Sequence, residues 1–180
     1  MSGYLAGHLL ISNAGLFDPN FRRTLVLVGH HDEEGAVGVV VNRPLEVTVR
    51  EAIPALAGLV GDDEPIFEGG PVQTDAAVVL AEFVDPSVAE VIAFGRVGFL
   101  PDGLDSASTE VVRARVFVGY SGWGPGQLEG ELAEDAWLVT KAVPDDVFHP
   151  EPAKLWTHVL GRMGRGFDLL RLMPDDPSAN

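Results

Sequence analysis

The stretch GYSGWGPGQLE, residues 119–129, is the most informative segment of this sequence. It holds four glycines and a proline around one tryptophan. Glycine is dense where the backbone needs positive φ or where another group comes very close. The pattern predicts a glycine-rich turn that follows a strand and leads into a helix opening at Pro125, because proline is favoured in the first helical turn. A large indole in such a turn marks either a packed corner or a contact surface. The flanking glycines leave few side chains to bury it, so we favour the contact surface and expect Trp123 to be partly exposed.

Short apolar runs separated by turn residues surround this segment. Their β-branched content predicts strands, over residues 7–12, 24–28, 36–41, 65–68, 76–83, 97–100, 111–118 and 136–141. The polar residues 30–35 are expected to form a hairpin connection, and Asn42-Arg43-Pro44 is expected to end a strand. Because strands follow one another instead of alternating regularly with helices, the order favours an α+β fold with a mostly antiparallel sheet.

Three segments have helical features. Residues 48–60 carry apolar side chains at helical spacing, Thr48 and Glu51 form a capping-box pattern, and Pro54 predicts a start or a kink there. Further helices are predicted over residues 125–134 and 152–163. Residues 1–173 show no composition break, which predicts a single domain, and residues 174–180 are expected to be a disordered tail.

Charge and composition restrict the classes of function. The 180 residues include 12 Lys and Arg against 27 Asp and Glu, a formal net charge of −15, and no cysteine. No apolar run approaches the ~18 residues of a membrane helix, so we expect a cytoplasmic protein without membrane association. An acidic surface repels phosphate backbones, which disfavours direct nucleic-acid binding. A basic patch from Arg22, Arg23, Arg43 and Arg50 would be the exception, although solvated or ion-paired arginines are the simpler interpretation.

Catalytic motifs are incomplete in this sequence. Residues 119–123 miss the final glycine of the Gly-x-Ser-x-Gly elbow, which favours Ser121 as a turn hydroxyl over a nucleophile. Nucleotide-binding fingerprints are also incomplete. His30, His31 and Asp32 are consecutive, so in an extended chain they alternate faces and do not converge on a metal. We therefore assign no catalytic residue, metal or cofactor from the sequence.

Three blocks in this order resemble the AlgH/YqgE family of bacterial proteins over nearly the whole chain. They are GHLLIS through DPNFRRT (residues 7–24), residues 31–35 with Asn42-Arg43-Pro44, and residues 119–129. The resemblance implies an α+β fold in which a bent, bifurcated sheet closes into a pseudo-barrel flanked by a few helices. It implies little about activity, since the family is largely uncharacterised and is named after a member implicated in the transcriptional regulation of alginate production.

The leading hypothesis is a non-enzymatic cytoplasmic regulator of transcription that acts indirectly, through a protein partner or a small ligand. The alternative is an enzyme with an unfamiliar site around the Trp123 turn, near Ser121, His31 and Arg43. We expect three blocks, residues 18–24, 42–44 and 119–127, to share one face of the fold. The candidate binding surface comprises Asp18, Asn20, Arg22, Asn42, Arg43, Tyr120, Ser121, Trp123 and Gln127.

Overall fold

The structure is a computed structural model that describes residues 4–13, 23–102 and 109–164. Within these ranges the chain forms ten strands and four short α-helices. The strands are β1 (His8–Ser12), β2 (Leu25–Asp32), β3 (Gly35–Val40), β4 (Pro44–Thr48), β5 (Pro65–Glu68), β6 (Val72–Phe83), β7 (Val91–Phe94), β8 (Val97–Phe99), β9 (Val111–Trp123) and β10 (Trp137–Lys141). The helices are α1 (Val49–Ala52), α2 (Gln127–Ala133), α3 (Pro144–Val147) and α4 (Leu155–Met163).

All ten strands belong to one bent sheet in the order β10-β1-β2-β3-β9-β6-β8-β7, with β4 and β5 off this path. The pairs are antiparallel except β5 with β9. One edge of β9 pairs with β6, while the other edge pairs first with β5 and then with β3. The sheet is therefore bifurcated at β9, and the prediction of an α+β fold with a mostly antiparallel sheet and few helices is confirmed.

The predicted closure into a pseudo-barrel is wrong. Among the described strands, β10 and β7 end the path and do not pair with each other. Strand β7 comes near β2 through packing rather than through ladder hydrogen bonds. A Cβ on Gly7 would lie 2.7 Å from the Ala93 carbonyl oxygen, and the Phe99 ring covers Gly29. These contacts bring the two arms of the sheet together without joining their edges.

Strands β1 to β3 are buried on both faces, which explains their nearly continuous apolar sequence. Leu9 and Ile11 belong to a core cluster that includes the buried side of α4. Leu10 and Val26 belong to a second cluster that includes Leu128 of α2. A third cluster packs Val49 of α1 against residues of β6 and β9. Alternate residues of one strand thus supply cores on opposite sides of the sheet.

Several element boundaries differ from the prediction. Residues 119–123 are the end of β9 and not a turn, because they pair with β3 and β6. Residues 30–32 continue β2, so the hairpin connection is shorter than expected. The helix over residues 48–60 is divided: Thr48 caps α1 as predicted, and a 3-10 turn follows from Pro54, whose missing N–H cannot continue the α-helix.

Other differences concern short elements and the chain end. Strands β4 and β7 and helix α3 were not predicted. The helix predicted over residues 152–163 is present as a 3-10 turn followed by α4, which buries Leu155, Trp156, Val159 and Leu160. The tail, residues 174–180, lies outside the described residues. In the described ranges no helix is both long and apolar enough to cross a bilayer.

Two buried charged side chains hold the C-terminal helices in place: Asp146 joins α3 to α4, and Arg115 joins the end of α3 to the sheet. The buried carboxylate of Asp146 accepts two hydrogen bonds from Arg162, at 2.7 and 2.9 Å, and a third from the Val143 backbone. The hydrogen bond to Asp146 raises the pKa of Arg162. Arg115 of β9 donates to the carbonyls of Val147 and His149, which holds the end of α3 against the sheet.

The bend of β9 depends on a glycine that no other residue can replace without strain. Gly119 has φ +76°, and a Cβ there would overlap the carbonyl oxygen of Gly70. We expect Gly119→Ala to lower the free energy of unfolding by at least about 2 kcal/mol, since left-handed backbone at a non-glycine residue alone costs ~1–3 kcal/mol. Urea unfolding followed by tryptophan fluorescence measures the change.

Gly130→Ala is the matched control for this substitution. Gly130 is exposed in α2, and a Cβ there meets no atom within 4 Å. Alanine is the better helix former, so this variant should gain about 0.5–1 kcal/mol. Equal effects of the two substitutions would contradict the role given to Gly119.

Candidate functional site

An open, mainly apolar groove of about 450 Å³ lies between the two arms of the bent sheet. One wall is formed by β2 and β3 through Gly29, Val37 and Val39. The other wall is formed by β6 and β8, through residues 76–79 and Phe99. Val37 is 42% exposed, an unusual state for a valine in the interior of a sheet. The groove therefore presents apolar surface to water.

A β-bulge at Gly29 shapes the first wall. Val28 lies opposite Gly38 and His30 lies opposite Val37, so Gly29 is the extra residue of the bulge. A Cβ on Gly29 would lie 2.5 Å from the Phe99 ring, and glycine therefore lets this ring pack directly on the β2 backbone. Beyond the bulge the side chains alternate as the sequence predicted, with His30 exposed and His31 buried.

A larger bulge in β6 shapes the second wall. Val72 lies opposite Tyr120 and Ala77 lies opposite Val118, so residues 73–76 face the single residue Gly119. Gln73 adopts φ +47° within this bulge. The strand bows away from β9 next to Tyr120, and Ala77 remains exposed in the groove. Both bulges thus lie beside the cavity and determine its width.

Five polar side chains surround the apolar walls: His30, Gln73, Glu90, Asp102 and Tyr120. The carboxylate of Asp32 lies next to this rim, and its Oδ2 is 2.7 Å from Nε2 of His30. The hydrogen bond with His30 is the main cause that lowers the pKa of Asp32. Tyr120 packs against the main core cluster, so its ring is held in place at the junction of the two arms.

The predicted contact residue Trp123 is buried, with 6% of its surface exposed, so the expectation of an exposed indole is wrong. Its ring packs edge-on against Trp137, with ring centroids 6.2 Å apart. One carboxylate oxygen of Glu131 accepts from both indole N–H groups, at 3.1 Å from Trp123 and 2.8 Å from Trp137. The geometry of this cluster is that of a core contact between β9, β10 and α2.

Gln127 completes the same arrangement. Its side-chain carbonyl accepts from the Gly124 backbone N–H at 3.0 Å, and its amide donates to Oε2 of Glu131 at 3.0 Å. Gln127 therefore closes the turn before α2 and fixes the glutamate that holds the two indoles. The glycine-rich segment of residues 119–129 therefore serves mainly to attach α2 to the sheet.

The three side chains of the enzyme alternative are held by separate partners. Ser121 is fully buried, and its Oγ donates to the Gly69 carbonyl at 3.3 Å. His31 accepts the Leu5 N–H at Nδ1, so its Nε2 carries the hydrogen that faces Glu129. Arg43 donates to Oγ1 of Thr24 at 2.8 Å. No nucleophile–base contact is formed among these three residues.

Asn42 bridges two backbone segments. Its amide donates to the Arg23 carbonyl at 2.9 Å, and its carbonyl accepts from the Leu25 N–H at 3.1 Å. Together with Arg43 it ties the chain after β3 to the start of β2. Asp18, Asn20 and Arg22 lie outside the described residues.

The three sequence blocks are only partly brought together. Residues 23–24 and 42–43 meet through the hydrogen bonds of Asn42 and Arg43. Trp123 lies opposite Ala36 at the far end of β3, four residues from Val40. At ~3.3 Å per residue this separation is about 13 Å. Of the predicted surface residues that the structure describes, Tyr120 is the one that lines the groove.

Most of the groove was missed because its residues carry no motif. His30 was considered as a metal ligand, and residues 76–79 as a strand, but the sequence does not indicate that they face each other. Both bulges arise from pairing partners distant in sequence. In the described part of the chain, no cluster of three or more histidine, aspartate or glutamate side chains is suited to hold a metal ion.

Comparison with known proteins identifies relatives along nearly the whole chain. The family model described as DUF179, AlgH-like, matches residues 9–168. A UPF0301 protein of Streptomyces avermitilis is 42% identical over 98% of this chain and 95% of its own length. A UPF0301 protein of Mycobacteroides abscessus is 40% identical, over 97% of this chain and 88% of its own length.

Two solved structures share the fold. The crystal structure of protein DIP2367 from Corynebacterium diphtheriae has a TM-score of 0.86 at 25% identity and covers 94% of this chain and 92% of its own. The solution structure of the AlgH protein from Pseudomonas aeruginosa has a TM-score of 0.72 at 30% identity, over 97% of this chain and 96% of its own.

Burial of Trp123 leads to a prediction about stability. Trp123→Ala should lower the free energy of unfolding by about 3–5 kcal/mol, the usual range for emptying a buried aromatic site. Trp123→Phe keeps the apolar ring and removes the N–H that faces Glu131, so its loss should be clearly smaller. Urea titrations of both variants test this. A Trp123→Ala protein as stable as the parent would show that the indole is not a core residue.

Proposed function

The chain belongs to the AlgH-like family, and on that premise we propose that it is a non-enzymatic cytoplasmic protein that regulates transcription indirectly. In this proposal, it acts by binding a small, mainly apolar molecule in the groove between β2–β3 and β6–β8. The regulatory part of this proposal rests on the resemblance to the family. The binding part rests on the groove itself, which is the observation that carries the proposal.

The size and lining of the groove support a small ligand. Sites for small molecules usually enclose roughly 300–1,000 Å³ and combine apolar walls with a few polar groups that orient the ligand. The groove measures about 450 Å³ and has valine, alanine and phenylalanine walls with a polar rim. A protein partner would normally bury about 800 Å² on each side, which calls for a broader surface than this cavity. We therefore favour the small ligand over the protein partner.

The side chains in and around the groove support binding over catalysis. The nucleophile considered from the sequence, Ser121, is fully buried and does not line the cavity. His30 lines the groove, with Asp32 as its hydrogen-bonding partner, and the described residues of the lining include no serine or threonine. Among the described groove residues, no nucleophile is therefore activated by a neighbouring base.

Filling the groove should abolish binding without unfolding the protein. Ala77 is exposed in the groove wall, so Ala77→Trp places an indole in the cavity while displacing no core side chain. The neutral fluorescent probe N-phenyl-1-naphthylamine should bind the parent protein and lose affinity by roughly tenfold or more in this variant. Fluorescence titration measures both affinities, and urea unfolding confirms that the variant is folded.

Val112→Trp is the control for the groove-filling variant. Val112 is 55% exposed in β9 and does not line the groove, so an indole there should leave probe affinity unchanged. If the parent protein fails to bind the probe, or if both tryptophan variants bind it as well as the parent, the proposed ligand site is wrong.

Direct DNA binding provides a separate test of the indirect role. Five basic side chains lie within 4.0 Å of a carboxylate: Arg50, Arg113, Arg115, Lys154 and Arg162. Arg23 stacks on the Trp156 ring instead of extending a basic patch. With a net charge of −15, little counterion-release energy is available. We expect no sequence-specific complex in mobility-shift assays at physiological salt, and specific retention at sub-micromolar protein would contradict the proposal.

A further inference from the structure

We propose that the groove selects a positively charged ligand, an organic amine with an apolar body, which is held by a pair of carboxylates on one wall. This inference rests on the proposed function, because it names the class of molecule that the same groove accepts. Its basis is the distribution of charge around the cavity.

The two acidic groups of the rim come from one hairpin. Glu90 directly precedes β7, and its N–H donates to the Phe99 carbonyl at 2.9 Å. Val91 lies opposite Phe99, which places Glu90 beside Leu100, and Asp102 follows two residues later. Asp102 lies in the turn after β8, so the two residues flank the β7–β8 hairpin, which belongs to one wall of the groove. Both residues line the cavity and both are exposed.

No positive charge balances these carboxylates inside the cavity. The described residues that line it include neither lysine nor arginine. None of the ion pairs found in the described ranges uses Glu90 or Asp102. His30 stands on the opposite wall and is engaged with the carboxylate of Asp32. The negative field of the two carboxylates is therefore available to a ligand.

The apolar part of the groove suits the same class of ligand. Phe99 and Tyr120 place two aromatic rings in the lining, and ring faces attract cations as well as apolar groups. The protein carries 27 acidic against 12 basic residues, so its long-range field also favours the approach of a cation. An anionic amphiphile, such as a fatty acid, would instead place its carboxylate among like charges.

Three probes with the same ring system separate charge preference from groove binding. They are 1-naphthylmethylamine, which is a cation at neutral pH, 1-naphthylmethanol, which is neutral, and 1-naphthoate, which is an anion. Titration calorimetry on the full-length protein should give the affinity order cation, neutral, anion. We expect the cation to bind about tenfold more tightly than the alcohol, since each exposed ion pair contributes up to about fivefold.

Removing the two carboxylates should abolish the preference for the cation and leave binding of the neutral probe intact. In the double variant Glu90→Gln with Asp102→Asn, the cation should lose most of its advantage while the alcohol binds as before. High salt should weaken the binding of the cation and leave the binding of the alcohol unchanged. The control variant Glu134→Gln with Asp135→Asn changes net charge by the same amount at exposed positions outside the groove, and it should leave all three affinities unchanged.

The outcomes distinguish this inference from the proposed function. If the alcohol binds as tightly as the amine, or if the naphthoate binds more tightly than the amine, the charge preference is wrong. The proposal that the groove binds a small ligand would still hold. Equal loss of amine binding in the groove variant and the control variant would show a general charge effect and would also overturn it. Failure of all three probes to bind the parent protein would contradict both proposals.

Discussion

Strand β9 reaches both arms of the sheet because Gly119 and Gly70 allow two backbones to come closer than any side chain permits. Gly119 has positive φ, and a Cβ on either glycine would overlap the backbone of the other segment. At this crossing the partner of one edge of β9 changes from β5 to β3. The bulge of β6 lies directly opposite Gly119, so the bend and the second wall of the groove have the same origin. The groove is therefore a consequence of how the sheet branches.

The tryptophan-containing segment owes its composition to the attachment of a helix. Helix α2 has seven residues, too few to be stable alone in water. Glu131 holds it to the sheet by accepting hydrogen bonds from two indoles, and Gln127 of the same helix donates to its other carboxylate oxygen. Hydrogen bonds to a charged group contribute about 1.5–3 kcal/mol each, more than those between neutral groups. Residues 119–129, whose composition suggested a binding surface, therefore serve to attach α2 to the sheet.

The charges of the protein are used in two different ways. Asp146 and Arg115 are buried and hold the C-terminal helices, Asp146 through the exposed Arg162 and Arg115 through two backbone carbonyls. Glu90 and Asp102 are exposed beside an apolar cavity. Burying a charge is costly unless it is paired, which explains why the internal charged groups have well-defined partners. The rim carboxylates remain solvated, so a ligand can exchange water for contact with them at little cost.

The sequence by itself determined the local features of this protein. The apolar runs located most of the strands, Thr48 marked the start of α1, Pro54 marked an interruption of the helical segment 48–60, and strand alternation separated His30 from His31. These features depend on neighbouring residues, which the sequence displays directly. The tertiary structure decided the rest: that residues 119–123 continue a strand, that Trp123 is buried, and that β2 and β6 bulge to form a groove. Each of these depends on partners far apart in the chain, such as Gly70 with Gly119 or Gly29 with Phe99, whose pairing follows from packing the whole sheet and not from local propensity.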